Sequence, residues 1–161
     1  MFYTTTKEAL SVVERFEDRS LPKTEWKHAQ HLTVGLYYCL RHPFGEALNL
    51  MRDGIRSLND AHGVPNTKKS GYHETLTVFW MIVIKQFAET SKKFRFGELA
   101  NQLLVICDDP RLPLEYYSRS LLFSEKARDA HVQPDIEELY LFVSSMKMTA
   151  QVGGSHDPMV V

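Results

Sequence analysis

The chain is poor in cysteine, and its two cysteines lie far apart. Only Cys39 and Cys107 occur among 161 residues, so there is no Cys-x-x-Cys pair of the kind found in zinc ribbons and dithiol redox enzymes. A disulfide-rich framework, which many small secreted domains need, is therefore excluded. We expect a reducing, cytoplasmic location.

An excess of one charge and long apolar runs are also lacking. The 19 basic and 20 acidic side chains give a formal net charge of -1, which provides no overall field that would attract nucleic acid. The longest wholly apolar run covers residues 78–84, far short of the roughly 20 residues that a membrane span requires. The first residues lack the basic and apolar stretches of a secretory signal. Neither nucleic acid nor a membrane is expected as a partner.

Apolar residues recur at helical spacing along most of the chain. This pattern predicts an all-α fold, a single-domain helical bundle of about six helices that occupies residues 1–148, followed by a flexible tail at residues 149–161. Residues 7–19, 72–90 and 96–107 are expected to form the first, fourth and fifth helices. The fourth is apolar on most faces, which is typical of a central helix.

The remaining helices are predicted from capping residues and helix breakers. Thr24 is the expected cap of the second helix, and Pro43 suits the first turn of the third helix, which Gly63 ends. Ser120 or Ser124 is expected to open a short helix that runs to residue 130. Asp135 is the expected cap of a last helix that runs to residue 146.

The first segment with chemical potential is Glu25 to His31 (EWKHAQH). His28 and His31 lie three positions apart, so both imidazoles could reach one ion from the same face of a helix. Glu25 adds a carboxylate one turn earlier. Two histidines do not complete a metal site, and a pair of this kind also occurs where one ring is exposed and the other is hydrogen-bonded at a helix interface.

The second segment, Asn66 to Glu74 (NTKKSGYHE), places polar groups at the start of the fourth helix, with Ser70 or Gly71 as the expected cap. His73 would lie in the first turn, where the positive end of the helix dipole favours a neutral ring that can bind a metal or accept a hydrogen bond. Glu74 complements the same dipole.

In a bundle with up-down order, the second and fourth helices run parallel and their first turns lie side by side. His28, His31 and His73 would then form a three-nitrogen site for a divalent metal, and zinc, iron and nickel all tolerate such ligands. Glu74 or Glu25 would act as a fourth ligand or as the catalytic base of an enzyme that acts on a small molecule. The sequence does not decide whether the protein is an enzyme, because it contains neither a Gly-rich phosphate loop nor a Gly-x-Ser-x-Gly elbow.

Substrate-binding residues are predicted beside these segments. The candidates are Asn66, Tyr72 and Arg119. Three polar residues of the third helix, Arg52, Arg56 and Asn59, are assigned to its solvated face. His42 and His62 stand at helix ends, and at His62 a cationic ring would complement the helix terminus.

An alternative function from a different class explains the same residues. The protein would be a non-catalytic module that binds a small-molecule ligand or a partner, and the His and Glu side chains would form a structural hydrogen-bond network beneath the loop at residues 66–71. Formation of a homo-oligomer through the fifth helix or the C-terminal segment is also compatible with the sequence, although no heptad pattern specifies it.

The chain resembles a family of small bacterial all-helical proteins with no established activity. The resemblance rests on residues 21–32 (LPKTEWKHAQHL), residues 63–75 (GVPNTKKSGYHET) and residues 116–119 (YYSR). It implies a helical fold with a shared polar core around these segments. The predicted architecture is also similar to that of the DinB-like four-helix metalloproteins, which gather three histidines inside a bundle, but there a later helix supplies a His-x-x-x-His pair.

Overall fold

The computed structural model describes residues 2–90 and 94–138, and this part of the chain contains helices but no strands. Five helices have more than two turns, and three short helices follow them. The long helices are α1 (Thr6–Glu17), α2 (His28–Arg41), α3 (Phe44–Ala61), α4 (Glu74–Thr90) and α5 (Phe96–Ile106). The short helices are α6 (Pro113–Tyr116), α7 (Arg119–Leu122) and α8 (Glu125–Asp129). The predicted all-α, single-domain fold is confirmed.

Helix α1 follows the sequence pattern closely. The Thr5 hydroxyl accepts a hydrogen bond from the backbone amide of Glu8 at 3.2 Å and caps the first turn. The apolar stripe of α1 is buried; it consists of Ala9, Val12, Val13 and Phe16. The helix ends two residues before the predicted position, because Arg19 adopts a left-handed conformation with φ 65°.

The predicted start of the second helix was wrong. Thr24 does not cap α2, which begins at His28. The amides of Glu25 and Trp26 instead donate to the carbonyl of Pro22 at 2.9 and 3.1 Å, forming a turn. Lys27 is then extended, with φ -120° and ψ 178°, so Glu25 is not part of the helix that carries the two histidines.

Helices α2 and α4 pack against each other at the centre of the bundle. Helix α2 also contacts α1, α3 and α5, whereas α4 contacts α3 and α8. Gly35 allows the close approach of α2 and α4, since a Cβ atom there would lie 2.6 Å from Cδ1 of Ile84. Val83 and Ile84 are buried, as expected of a central helix.

Hydroxyl caps organise the segment after α5. The Ser118 and Ser124 side chains accept from the amides of Leu121 and Ala127 at 3.3 and 3.1 Å, which confirms Ser124 as the predicted cap. Asp135 accepts from the Ser118 amide and hydroxyl at 2.7 and 2.6 Å. Residues 135–138 are not helical, so the predicted start of the last helix at Asp135 was wrong. The remainder of that predicted helix and the predicted tail lie outside the described residues, so the domain boundary after residue 148 stays a prediction.

Two further findings bear on the expectations above. Cys39 and Cys107 are free and buried. Within the described ranges, every helix is too short or too polar to cross a bilayer.

Candidate functional site

The two polar segments lie on the walls of one cavity, as the up-down order of the helices predicted. The cavity has a volume of about 600 Å³ and lies where the first turns of α2 and α4 meet the middle and end of α3. His28, His31 and His73 all line it. The prediction that these segments converge is confirmed. The hydrogen bonds of each side chain determine which of its atoms are available to a ligand.

His28 is the first residue of α2 and is tied to Cys107, the C-cap residue of the neighbouring helix α5. Its Nε2 atom lies 2.8 Å from the carbonyl oxygen of Cys107, to which it donates. The ring also makes an edge contact with Trp80, with centroids 4.6 Å apart. Burial lowers the pKa of His28, so the ring is neutral and its Nδ1 atom is an acceptor.

His31 lies one turn further along α2 and is held by stacking alone. Its ring lies 3.8 Å from that of Trp26, which in turn stacks on Phe16 at 4.9 Å. Burial, aided by the neighbouring His28, lowers the pKa of His31 to about 3. The ring is therefore uncharged at neutral pH, and no described residue forms a hydrogen bond with either of its nitrogens.

His73 caps α4, where Ser70 or Gly71 was expected to do so. Its carbonyl accepts from the Thr77 amide at 3.0 Å, and its Nδ1 atom accepts from the Leu76 amide at 3.3 Å. The Nε2 atom donates to the Leu122 carbonyl at 2.9 Å. Burial lowers the pKa of His73, which keeps the ring in this neutral form. Both ring nitrogens are thus engaged with the backbone.

These hydrogen bonds bear directly on the predicted metal site. Among residues 2–90 and 94–138, no three or more His, Cys, Asp and Glu side chains are grouped closely enough to hold a metal ion. A zinc, iron or nickel ion on the three histidines would need His73 to give up one of its two backbone partners. Metal binding therefore stays a prediction.

Glu74 does not line the cavity but forms a buried ion pair with α3. Its carboxylate accepts from Nε of Arg52 at 3.0 and 3.1 Å, from Nη2 of the same residue, and from the Tyr72 hydroxyl at 2.6 Å. Burial raises the pKa of Glu74, but the hydrogen bonds from Arg52 and Tyr72 outweigh this effect, and the net pKa is lowered. A carboxylate with this environment is a poor general base.

Glu25, the other predicted base, lies outside the cavity. Its carboxylate pairs with the guanidinium of Arg15 on α1 at 2.9 Å, and half of its side chain is exposed. The two glutamates and three histidines therefore do not form one cluster. The assignment of a base on the same helix face as the histidines fails because the turn at Pro22 separates Glu25 from α2.

The predicted substrate-binding residues are in three different situations. Asn66 fastens the loop before α4: its side chain bonds with Asn59, Asp60, the Arg56 carbonyl and the Tyr72 amide. Tyr72 lines the cavity, yet burial and its bond to Glu74 raise its pKa to about 12. Arg119 lies over the ring of Phe123, 5.3 Å from its centroid, and away from the cavity.

The assignment of three α3 residues to a solvated face was wrong for Arg52 and Asn59, whereas Arg56 is exposed as predicted. Arg52 pairs with Glu74, Arg56 lies 4.2 Å from the ring centroid of Tyr72, and Asn59 is buried and donates to Asn66. Together these residues attach α3 to the loop at residues 66–71 and to α4. His62 also has a specific partner, since its Nε2 atom donates to the Leu21 carbonyl at 2.8 Å.

Sequence reasoning missed several residues that shape the cavity. Trp26 and Trp80 both line it, and they are the only tryptophans of the chain. A helical pattern could have identified Trp80, since His73, Leu76, Thr77 and Trp80 recur at positions i, i+3, i+4 and i+7 and all line the cavity. Lys23 and Lys27 line it as well, although both are exposed.

Compared with protein-family models, with curated proteins and with solved structures, the chain matches none of them.

Proposed function

We propose that the protein binds a small molecule with an aromatic ring system in the cavity between α2, α3 and α4. The observation that carries this proposal is the state of His31. Its neutral ring lines a cavity, and its two nitrogens have no hydrogen-bond partner among the described residues. His31 is half-buried, and its nitrogens are not fully enclosed by protein, so a ligand that enters the cavity can form hydrogen bonds with them.

The size and composition of the cavity support a small ligand. A volume of about 600 Å³ lies within the range of roughly 300–1,000 Å³ that small-molecule sites occupy. Apolar and aromatic side chains make up much of the lining, including Trp26, Trp80, Met51, Ile55 and Leu76. Trp80 makes edge contacts with His28 and Phe79, and its ring offers apolar surface against which an aromatic ligand can pack. Trp26 is stacked between Phe16 and His31, so it presents only its rim to the cavity.

The neutral imidazole determines which polar groups suit the ligand. A neutral ring has one N–H donor and one acceptor nitrogen, so His31 can bond with a hydroxyl, a carbonyl or an amide. His28 adds an acceptor, because its proton is committed to the Cys107 carbonyl. The hydroxyl of Thr77 donates to the His73 carbonyl at 2.9 Å and is less free to bind a ligand.

Calorimetric titration with naphthalene-based probes tests the proposal, and tryptophan fluorescence locates the site. Because both tryptophans line the cavity, a bound probe should change the intrinsic fluorescence saturably. The variant His31→Phe keeps a ring beside Trp26 but removes both nitrogens, and it should weaken binding roughly three- to tenfold. Absence of saturable binding by any probe would contradict the proposal.

A matched control separates the loss of a hydrogen bond from a general effect of phenylalanine. His42 stands just after α2, pairs with Glu46 at 2.9 Å and does not line the cavity. His42→Phe should therefore leave probe affinity unchanged. Equal affinities of the His31 and His42 variants would show that His31 does not contact the ligand.

A second candidate function is the binding of a divalent metal by His28, His31 and His73, followed by chemistry on a small molecule. It is favoured by one observation, that the three imidazoles line the same cavity. Metal analysis of the untagged protein tests it: about one equivalent of zinc, iron or nickel, lost in His31→Phe, would support this candidate. A tenth of an equivalent or less would contradict it.

A further inference from the structure

We propose that the ligand of the cavity is an aromatic carboxylate, whose ring packs beside Trp80 and whose carboxylate lies beside Lys23 and Lys27. The inference rests on the proposed function, because it names the chemical class of the molecule that the cavity binds. It is carried by the distribution of charge around the cavity.

The lining itself is one-sided in charge. Among the described residues that line the cavity there are two lysines and no Asp, Glu or Arg. Burial lowers the pKa of His28, His31 and His73, so these imidazoles are neutral. A cavity with this lining presents neutral donors and acceptors inside and two ammonium groups where it opens, because Lys23 and Lys27 are both exposed.

The two lysines are available to a ligand. They lie on the turn at residues 22–27 that leads into α2, and the described residues provide neither of them with an ion-pair partner. The carboxylate that is nearest in sequence, Glu25, is bound to Arg15 at 2.9 Å. The first turn of α2 begins at the same place, and its positive dipole end adds to the potential of the lysines.

The acidic residues near His28, Asp108 and Asp109, do not cancel this charge. Asp109 is held by Arg111, with Oδ2 and Nη2 2.9 Å apart. Asp108 remains as one negative charge near His28, against the two lysines. An ammonium ligand would gain cation–π contacts with the indoles but would be repelled by both lysines, so the charge pattern favours a carboxylate.

Three probes with one ring system and different charges test the inference. They are 2-naphthoate, 2-naphthylmethanol and 2-naphthylmethylammonium. Titration calorimetry at low salt should give the order carboxylate, alcohol, ammonium, with the carboxylate about tenfold tighter than the alcohol. Added salt should reduce this ratio, since the lysines are exposed to solvent.

A double variant assigns the preference to the two lysines. Lys23→Gln together with Lys27→Gln should bring the affinity of 2-naphthoate down to that of the alcohol and leave the alcohol unaffected. The control, Lys7→Gln with Lys126→Gln, removes the same charge from exposed positions outside the cavity and should retain the tenfold ratio.

The outcomes separate this inference from the proposed function. If the alcohol binds and the carboxylate binds no more tightly, the cavity is a ligand site but the proposal of an aromatic carboxylate is wrong. The same conclusion follows if the lysine double variant retains the carboxylate preference. If none of the three probes binds, the proposed function fails and this inference fails with it.

Discussion

Arg52 donates hydrogen bonds to both carboxylate oxygens of Glu74 and so joins the middle of α3 to the first residue of α4. Only 9% of the Glu74 side chain and 28% of the Arg52 side chain are exposed. The pair therefore replaces much of the water that each charge would otherwise bind. It also holds the Tyr72 hydroxyl, which extends the link to the wall of the cavity.

We expect Glu74→Gln to destabilise the protein. The substitution leaves the Arg52 guanidinium without its carboxylate, and breaking a fully buried pair costs about 3–5 kcal/mol. Because Arg52 is partly exposed, water compensates for some of the loss, and the expected decrease in the free energy of unfolding is about 1–3 kcal/mol. Urea denaturation measures it.

Glu25→Gln is the matched control, since it makes the same change in an exposed pair. Glu25 and Arg15 are 50% and 35% exposed, so the urea midpoint should remain that of the unmodified protein. Equal midpoints for all three proteins would show that the Arg52–Glu74 pair adds nothing to stability.

The sequence predicted the helices well where periodic burial determined them. Helix α4 was expected over residues 72–90 and observed at Glu74–Thr90, and α5 was expected over residues 96–107 and observed at Phe96–Ile106. The predicted start of α2 was wrong because a threonine can cap a helix or stand in a turn. Here the Pro22 carbonyl accepts from the amides of Glu25 and Trp26, which places Thr24 in a turn. Local sequence does not show where that carbonyl points.

The candidate site was predictable only as a meeting place of two segments. Up-down order was sufficient to bring His28 and His73 to one cavity. Their partners, the carbonyls of Cys107 and Leu122, lie 79 and 49 positions away, and no sequence pattern marks a carbonyl as an acceptor. Arg52 and Glu74 are 22 positions apart and lie on different helices, so the periodicity of a single helix could not predict their pairing.

Asn66→Ala should loosen the loop that precedes α4. The Asn66 amide oxygen accepts from Asn59 and from the Tyr72 backbone at 2.9 and 3.1 Å, and its nitrogen donates to Asp60 at 2.9 Å. Water replaces some of these bonds in the variant, so we expect a decrease of about 1–3 kcal/mol in the free energy of unfolding, measured in urea.

Lys68→Ala provides the comparison for Asn66 within the same loop. The Lys68 side chain forms no hydrogen bond or ion pair with the described residues, and its truncation should change the free energy of unfolding by less than about 0.5 kcal/mol. A similar effect of both substitutions would mean that the hydrogen bonds of Asn66 do not order the loop.

Gly71→Ala should be more damaging than Gly63→Ala, although both glycines have positive φ. At Gly63, with φ 65°, an added Cβ atom meets nothing within 4 Å. The only cost there is that of holding alanine in the left-handed conformation, about 1 kcal/mol. At Gly71, with φ 75°, the Cβ atom would lie 2.6 Å from the Pro65 carbonyl oxygen and 2.8 Å from Oδ1 of Asn66. We expect a further loss of about 1–3 kcal/mol in urea denaturation. Equal losses at the two positions would refute this close approach.

The histidines that line the cavity make stability depend on pH in a defined direction. A histidine in an unfolded chain takes up a proton near pH 6.5, whereas burial lowers the pKa of His31 in the folded protein to about 3. Between these values the unfolded state binds more protons, so the free energy of unfolding decreases as pH falls from about 6.5. His28 and His73, whose pKa values burial also lowers, act with the same sign.

The contribution of His31 can be isolated from the slope of the free energy of unfolding against pH. The pKa of Glu74 is also lowered, but a carboxylate contribution of this kind is lost only below about pH 4.3, so the interval from pH 6.5 to 5 reports mainly on histidines. Urea denaturation across this interval should give His31→Phe a shallower dependence on pH than the unmodified protein, by at most about 1.4 kcal/mol per pH unit. The slope is the informative quantity, because the phenylalanine ring changes packing equally at every pH. Parallel slopes would mean that His31 takes up its proton as readily in the folded protein as in the unfolded chain, which would contradict the lowered pKa of this half-buried ring.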